Sequence, residues 1–426
     1  MQSILFLVHR IPYPPNKGDK IRSFNLLKVL NKHFRVYLAT FVDDPHDWQY
    51  KEEIKKYCTD ILFRRLDKKT AKLLSLRGFL TGKALSLSYY RDRQMQIWVN
   101  EVVNTYQIKN IISFSSTMAQ YVEMERFSDC IRIADFVDID SEKWMQYSHN
   151  KTFPMNWIYS REAKRLAQYE QTISAAFQQT LFATREEMQH FASLNPSLAM
   201  RLGYYNNGVD TKYFDPFLDY DNPYSDDILP IVFTGAMDYW ANVDAVCWFA
   251  KESLPRIRDV LPKACFYIVG SNPVPEVKHL SQHEGVVVTG AVRDIRPYIH
   301  HARVIVAPIR IARGVQNKVL EGMAMARPVI STPMALEGIE YNEDYQPLIA
   351  QNASDFVYQC LHVLQQKQYD TFNLTARENI IQRYNWENNL LPLIDLFDKK
   401  NISKHKRKDD AGSRSNIQSK IGTKLL

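Results

Sequence analysis

The stretch Ala307–Gly338, APIRIARGVQNKVLEGMAMARPVISTPMALEG, constrains the fold more than any other part of the chain. An apolar run over Val304–Ala307 stops at Pro308, which cannot continue a central strand. A short basic loop, Arg310 to Gly314, follows, and from Asn317 the composition turns to strong helix formers. Pro328 ends that helix and opens a second apolar run, Val329–Ser331. Strand, loop, helix and strand make one parallel βαβ unit whose loop lies at the carboxyl end of a strand, where open α/β sheets bind ligands. Gly314 lets backbone approach a ligand, and amides at a helix start favour an anion. Arg310, Arg313 and Lys318 add positive charge, and Glu321, one turn into the helix, offers an acceptor for sugar or ribose hydroxyls. The same pattern also suits a basic surface loop on any α/β protein.

The chain has a second such opening at its N-terminus. Ile4–Val8 reads as a buried strand, followed by the proline-rich loop Arg10 to Lys20 with Gly18, an amphipathic helix, and a strand near Val36–Phe41. Asn110–Phe114 and Ile131–Ala134 read as further strands. The latter leads into Asp135, Asp138 and Asp140, which suit a metal, acid/base chemistry or the cap of the next helix. The calcium-loop glycine and glutamate are missing, which argues against metal. After a turn-rich stretch, strands over Ile231–Thr234, Phe266–Val269 and Val286–Thr289 end in Gly235, Gly270 and Gly290. The chain contains neither GxGxxG nor a Walker loop, which weakens dehydrogenase and NTPase readings. At 426 residues two domains are expected. We place them at 1–205 and 231–385, with a linker at 206–230, a closing helix at 386–398 and a basic disordered tail at 399–426.

Charge has to be located before it means anything. The net +7 resides entirely in residues 399–426, where nine Lys/Arg face two Asp; the remainder balances at 45 against 45. A nucleic-acid-binding body would carry a basic excess of its own, so no nucleic-acid partner is expected. Residues 64–93 are a local exception, with nine basic residues, two acidic ones and interleaved leucines. This segment and the tail suit an anionic membrane surface, and a solvated helix face accounts for the segment equally well. Five scattered cysteines without CxxC spacing indicate neither zinc nor disulfides and fit a reducing cytoplasm. The apolar N-terminus lacks a basic leader and cleavage site, and no window reaches the length of a membrane span.

Several sequence words in order, Pro14-Pro15-Asn16-Lys17-Gly18, Asn207-Gly208-Val209-Asp210, Val232-Phe233-Thr234-Gly235, Ile268-Val269-Gly270 and Leu320-Glu321-Gly322-Met323-Ala324, resemble the GT-B glycosyltransferases. The resemblance is closest to the retaining family-four enzymes, covers the chain to about Phe397, and within them is similar to sugar transferases of exosortase (PEP-CTERM) exopolysaccharide systems. It implies an α/β fold of two doubly wound Rossmann-like domains across a cleft. A nucleoside-diphosphate sugar would bind the second domain, and a glycan or lipid-linked acceptor the first. It further implies retention, no cofactor and no required metal, at the cytoplasmic face of the membrane. Glu321 matches the second Glu of the family's Glu-x7-Glu motif; the first falls on Arg313. Gly314, Val315, Gln316 and Asn317 match a turn that holds sugar hydroxyls, and Gly18 matches the glycine beside the donor phosphate. Lys20, Gly235, Asn242, Gly270 and Gly290 complete the expected donor contacts. The family's Arg/Lys pair is replaced by Ala241-Asn242, so Arg310, Arg313 and Lys318 are the substitutes we expect. Asp135 or Asp138 would stand in for an absent histidine. A GT-B enzyme on soluble sugars and an inactive glycan-binding scaffold are the alternatives.

Overall fold

A computed structural model describes residues 1–149, 151–311, 315–341, 347–366 and 373–397. The N-terminal half builds a seven-stranded parallel sheet in the order β3-β2-β1-β4-β5-β6-β7. Its strands are Gln2–Val8, Phe34–Val42, Asp60–Arg65, Asn110–Phe114, Ile131–Val137, Gln179–Phe182 and Leu202–Tyr204 for β1 to β7. The continuous apolar runs follow from burial on both faces. In β1, Leu5 and Leu7 enter one core while Ile4, Phe6 and Val8 enter the core on the opposite face. The C-terminal half repeats the plan with six parallel strands in the order β10-β9-β8-β11-β12-β13. These are Leu229–Thr234, Ala264–Val269, Val286–Gly290, Val304–Ala307, Val329–Ser331 and Leu348–Ile349 for β8 to β13.

In both sheets the winding direction reverses beside the first strand, between β1 and β4 and between β8 and β11. Helices diverge there, and a crevice opens at the carboxyl ends of the strands. The helix Gly18–His33 follows β1, and the helix Asn317–Ala324 follows β11. Each therefore begins at a switch point.

The connection between the sheets is not a free linker. Val209, Phe214 and Tyr224 belong to the second core. Arg377 holds this segment by donating to the carbonyls of Phe214 (2.7 Å) and Thr211 (3.1 Å). Gly208 is required here because a Cβ would stand 2.7 Å from the Tyr384 carbonyl and 2.9 Å from the Trp386 ring. The helix Trp386–Asp395 returns to the first domain, where Trp386, Leu390, Leu393 and Phe397 join the core beneath β1 and β2. No helix among the described residues is long and apolar enough to cross a membrane. The basic tail expected at 399–426 lies outside the described residues.

Candidate active site

The two switch points meet. A Cβ built on Gly18 would lie 4.0 Å from Asn317 Nδ2, so the first residues of the two helices face one another across the cleft. Neither N-cap side chain, Lys17 or Gln316, makes a cap hydrogen bond to the first turn of its helix. Asn317 Oδ1 is buried without a hydrogen-bond partner among the described residues. Lys17 Nζ reaches Asp238 of the second domain at 3.5 Å.

Lys318 and Glu321 define the second-domain wall. Lys318 is buried, with Nζ 3.2 Å from Asn242 Oδ1, 3.3 Å from Gln316 Oε1 and 5.0 Å from the centre of the Phe233 ring. Burial pushes its pKa down to about 8, opposed by Glu321. Burial likewise pushes the Glu321 carboxyl up to about 7, opposed by Lys318. Glu321 has no hydrogen-bond or ion-pair partner among the described residues, and it acts electrostatically on the Tyr213 hydroxyl. A half-buried carboxyl of this kind is an acceptor awaiting donors. Val315 is buried beside this wall.

Asn242 braces rather than binds. Its Nδ2 donates to the Ala236 carbonyl at 2.9 Å while its Oδ1 takes Lys318. Gly235 and Gly270 serve close packing. A Cβ on Gly270 would stand 1.6 Å from the Gly235 carbonyl oxygen, a contact only glycine permits. The Gly235 amide donates to Val269 (3.1 Å) and the Gly270 amide to Gly290 (3.1 Å), so neither amide is open to a phosphate.

Three charged residues expected at the site are bound elsewhere. Lys20 is buried against Asp47 at 2.6 Å. Arg310 donates to both oxygens of Asp244 (3.0 and 2.5 Å) and lies over the Trp248 ring at 5.4 Å, so its charge is neutralised on the flank of the helix Trp240–Glu252. Asp135 is fully buried with Arg22 and Tyr205 and has no exposure through which to meet a substrate. Asp138 keeps some exposure and pairs with Lys143 at 2.7 Å. Arg313 and Gly314 lie outside the described residues.

Sequence reasoning overlooked His9, Lys143 and Arg22. His9, the first residue after β1, stacks on Phe114 and sets Nε2 3.3 Å from Asp19, while its buried Nδ1 has no hydrogen-bond partner among the described residues. Its place at a strand end beside a switch point was the available signal. Burial disfavours the Lys143 charge, but Asp138 and Asp140 outweigh it and raise the pKa. Lys143 also acts on the Tyr239 hydroxyl of the second domain. Lys143 takes its partners locally, from Asp138 and Asp140 just before it, whereas Arg22 meets Asp135 only through a tertiary contact. Among the described residues no group of three or more His, Cys, Asp or Glu could hold a metal ion.

Residues 229–366 match the family model described as Glycosyl transferases group 1. No curated protein matches the sequence. Solved structures match over nearly the full length. Sucrose-phosphate synthase from Thermosynechococcus elongatus superposes with a TM-score of 0.66 at 16% identity, over 93% of this chain and 98% of that one. HepE from Anabaena, in complex with UDP and glucose, gives 0.62 at 12% identity over 93% and 99%. TarM from S. aureus gives 0.64 at 12% over 94% and 100%. The fold is GT-B. In GT-B terms, the helix Gly18–His33 and the helix Asn317–Ala324 are the elements that bring the two domains' switch points together at the cleft.

Proposed function

We infer that this protein is a glycosyltransferase that moves a sugar from a nucleoside-diphosphate sugar to a glycan acceptor. One observation carries the reading: two helix starts without side-chain caps, at Gly18 and Asn317, oppose each other across the cleft beside the Glu321 carboxyl, which has no hydrogen-bond partner among the described residues. The group 1 match over the second domain supports it. HepE structures hold UDP and UDP-glucose, which makes uridine nucleotides the first donors to try.

The chemistry follows from charge. As the bond to the donor sugar breaks, negative charge gathers on the leaving diphosphate. Lys318 and the helix-start amides would stabilise it without reorganisation. Glu321 would accept the ribose hydroxyls, which supply the donors its carboxyl lacks. Lys143 and Asp138 would line the acceptor side. Retention of configuration, family-four membership, a lipid-linked acceptor met at the cytoplasmic membrane face, and a role in exopolysaccharide synthesis belong to the same proposal and rest on the sequence resemblance. So do the independence from metal and the parts given to Arg313 and Gly314.

The test is a panel of nucleotide sugars assayed for hydrolysis and transfer with wild type and Glu321→Ala. Turnover of at least one donor, lost in the variant at unchanged melting temperature, is expected. Binding of nucleotide without turnover of any donor would instead identify a scaffold, and normal turnover by Glu321→Ala would overturn the site.

A further inference from the structure

After β3 the chain forms three short helices, Lys68–Ser75, Arg77–Thr81 and Leu85–Tyr89; the first two pack on the third, which packs on the long helix Met155–Ala176. The inward side is small and closely fitted. Ala71, Ser75, Gly78, Ala84 and Leu87 are buried, and a Cβ on Gly78 would lie 2.9 Å from Leu85 Cδ2. The large side chains point the other way. Leu73, Leu76, Leu80, Phe153 and Trp157 are between 50% and 91% exposed, although burying them would favour the fold. Single exposed leucines need no explanation, but a group gathered on one surface marks a partner.

The group is built as one face. Phe79 stacks on Trp157 with ring centroids 5.9 Å apart and planes 5° apart. Arg161 lies over the Phe79 ring at 4.7 Å and donates to the carbonyls of Gly78 (2.8 Å) and Lys83 (3.3 Å). Two segments distant in sequence are thereby fixed side by side.

The charge on this face has one sign. Lys69, Lys72 and Arg77 are exposed on the short helices, Lys83 between two of them, and Lys164 and Arg165 on the long helix. From residue 68 to 91 there is no acidic residue. From 151 to 168 there is only Glu162, which is buried and accepts from the amides of Leu85 (2.5 Å) and Ser86 (2.8 Å). Trp157, Arg161, Lys164 and Arg165 line a shallow groove along the long helix. Exposed leucines and aromatics ringed by uncompensated Lys and Arg match a bilayer surface, where apolar side chains enter the acyl boundary and cations meet anionic headgroups.

The geometry points to a membrane-docking face formed jointly by residues 68–83 and the start of the helix Met155–Ala176, with anionic lipid as its partner. The tail, beyond Phe397, is not needed for it.

The test is flotation of the full chain with vesicles of phosphatidylcholine, alone or mixed with phosphatidylglycerol. Wild type is compared with Leu73→Glu/Leu80→Glu and with a triple variant that adds Trp157→Glu. Wild type is expected to float only with anionic vesicles, and both variants to lose roughly tenfold or more in partitioning at unchanged melting temperature. The double variant touches only exposed leucines, so it remains informative if the triple variant folds poorly. Three results would each overturn the proposal. Wild type fails to bind, or the double variant binds like wild type and assigns attachment to the tail, or wild type forms a dimer in sedimentation velocity that the double variant abolishes. The readout is binding alone, so it stands or falls separately from the transferase reading.

Discussion

Arg22 and Asp135 form a fully buried, two-pronged ion pair, with Nε and Nη2 each 3.1 Å from one carboxylate oxygen. The same guanidinium donates to the carbonyls of Phe182 (3.2 Å) and Tyr205 (3.0 Å) and to Asn207 Oδ1 (2.9 Å). One side chain of the helix Gly18–His33 thus ties β5, β6 and the segment that leads to the second domain. Asp135→Asn would leave Arg22 charged, buried and unpaired, at a cost of roughly 3–5 kcal/mol. Chemical denaturation should reveal this loss, and stability within about 1 kcal/mol of wild type would contradict the pairing.

Gly18 offers a test of the cleft without loss of the fold. Its Cβ position has only an ordinary contact to Asn317, so Gly18→Ala should be tolerated. A longer chain in Gly18→Leu would enter the space between the two helix starts. Nucleotide titration should show weakened donor binding for Gly18→Leu and a near-normal value for Gly18→Ala, both at unchanged melting temperature.

Lys318 and Glu321 set the expected pH profile. Glu321 ionises as pH rises through about 7, and Lys318 loses its proton above about 8. If transfer needs the carboxylate and the ammonium together, kcat/KM climbs through the first value and falls beyond the second. Lys318→Met should remove the alkaline limb and lower the plateau. A flat profile from pH 6 to 9 would exclude both groups.

Glu170 makes stability depend on pH. Burial and Asp140 push its carboxyl up to about 8, against the opposing bonds from the Ser141 amide (3.2 Å) and hydroxyl (2.6 Å). In the unfolded chain a glutamate titrates near 4.3, so between these values the folded state holds more protons. The contribution is complete below the unfolded value and is lost as pH rises to about 8. Glu170→Gln keeps the shape and should flatten the fall of melting temperature between pH 5 and 8.

Gly270 is a purely steric case. Gly270→Ala would drive a methyl group into the Gly235 carbonyl, forcing the carboxyl ends of β8 and β9 apart. A loss of about 3 kcal/mol or more is expected. Thermal denaturation with an unchanged midpoint would refute this geometry.

The sequence by itself determined the two doubly wound sheets, because strands buried on both faces must be written as unbroken apolar runs, and those can be read locally. It also placed the start of the helix at Asn317, since a strand end followed by polar residues and helix formers carries its own punctuation, but it read Gly18 to Lys20 as loop where the first helix already begins. What it could not decide is which charges remain available. Lys20, Arg310 and Asp135 look as accessible in the sequence as Lys318 does. Their partners Asp47, Asp244 and Arg22 are set by tertiary contacts, and Asp135 lies 113 residues from Arg22. The docking face has the same origin. Residues 64–93 are visibly basic and leucine-rich, but only packing revealed which leucines turn outward and that Trp157 stacks on Phe79. Local pattern fixes backbone, because hydrogen bonding and burial repeat along the chain. Charge pairing and exposure are properties of the assembled fold, because they depend on neighbours that the chain meets only in three dimensions.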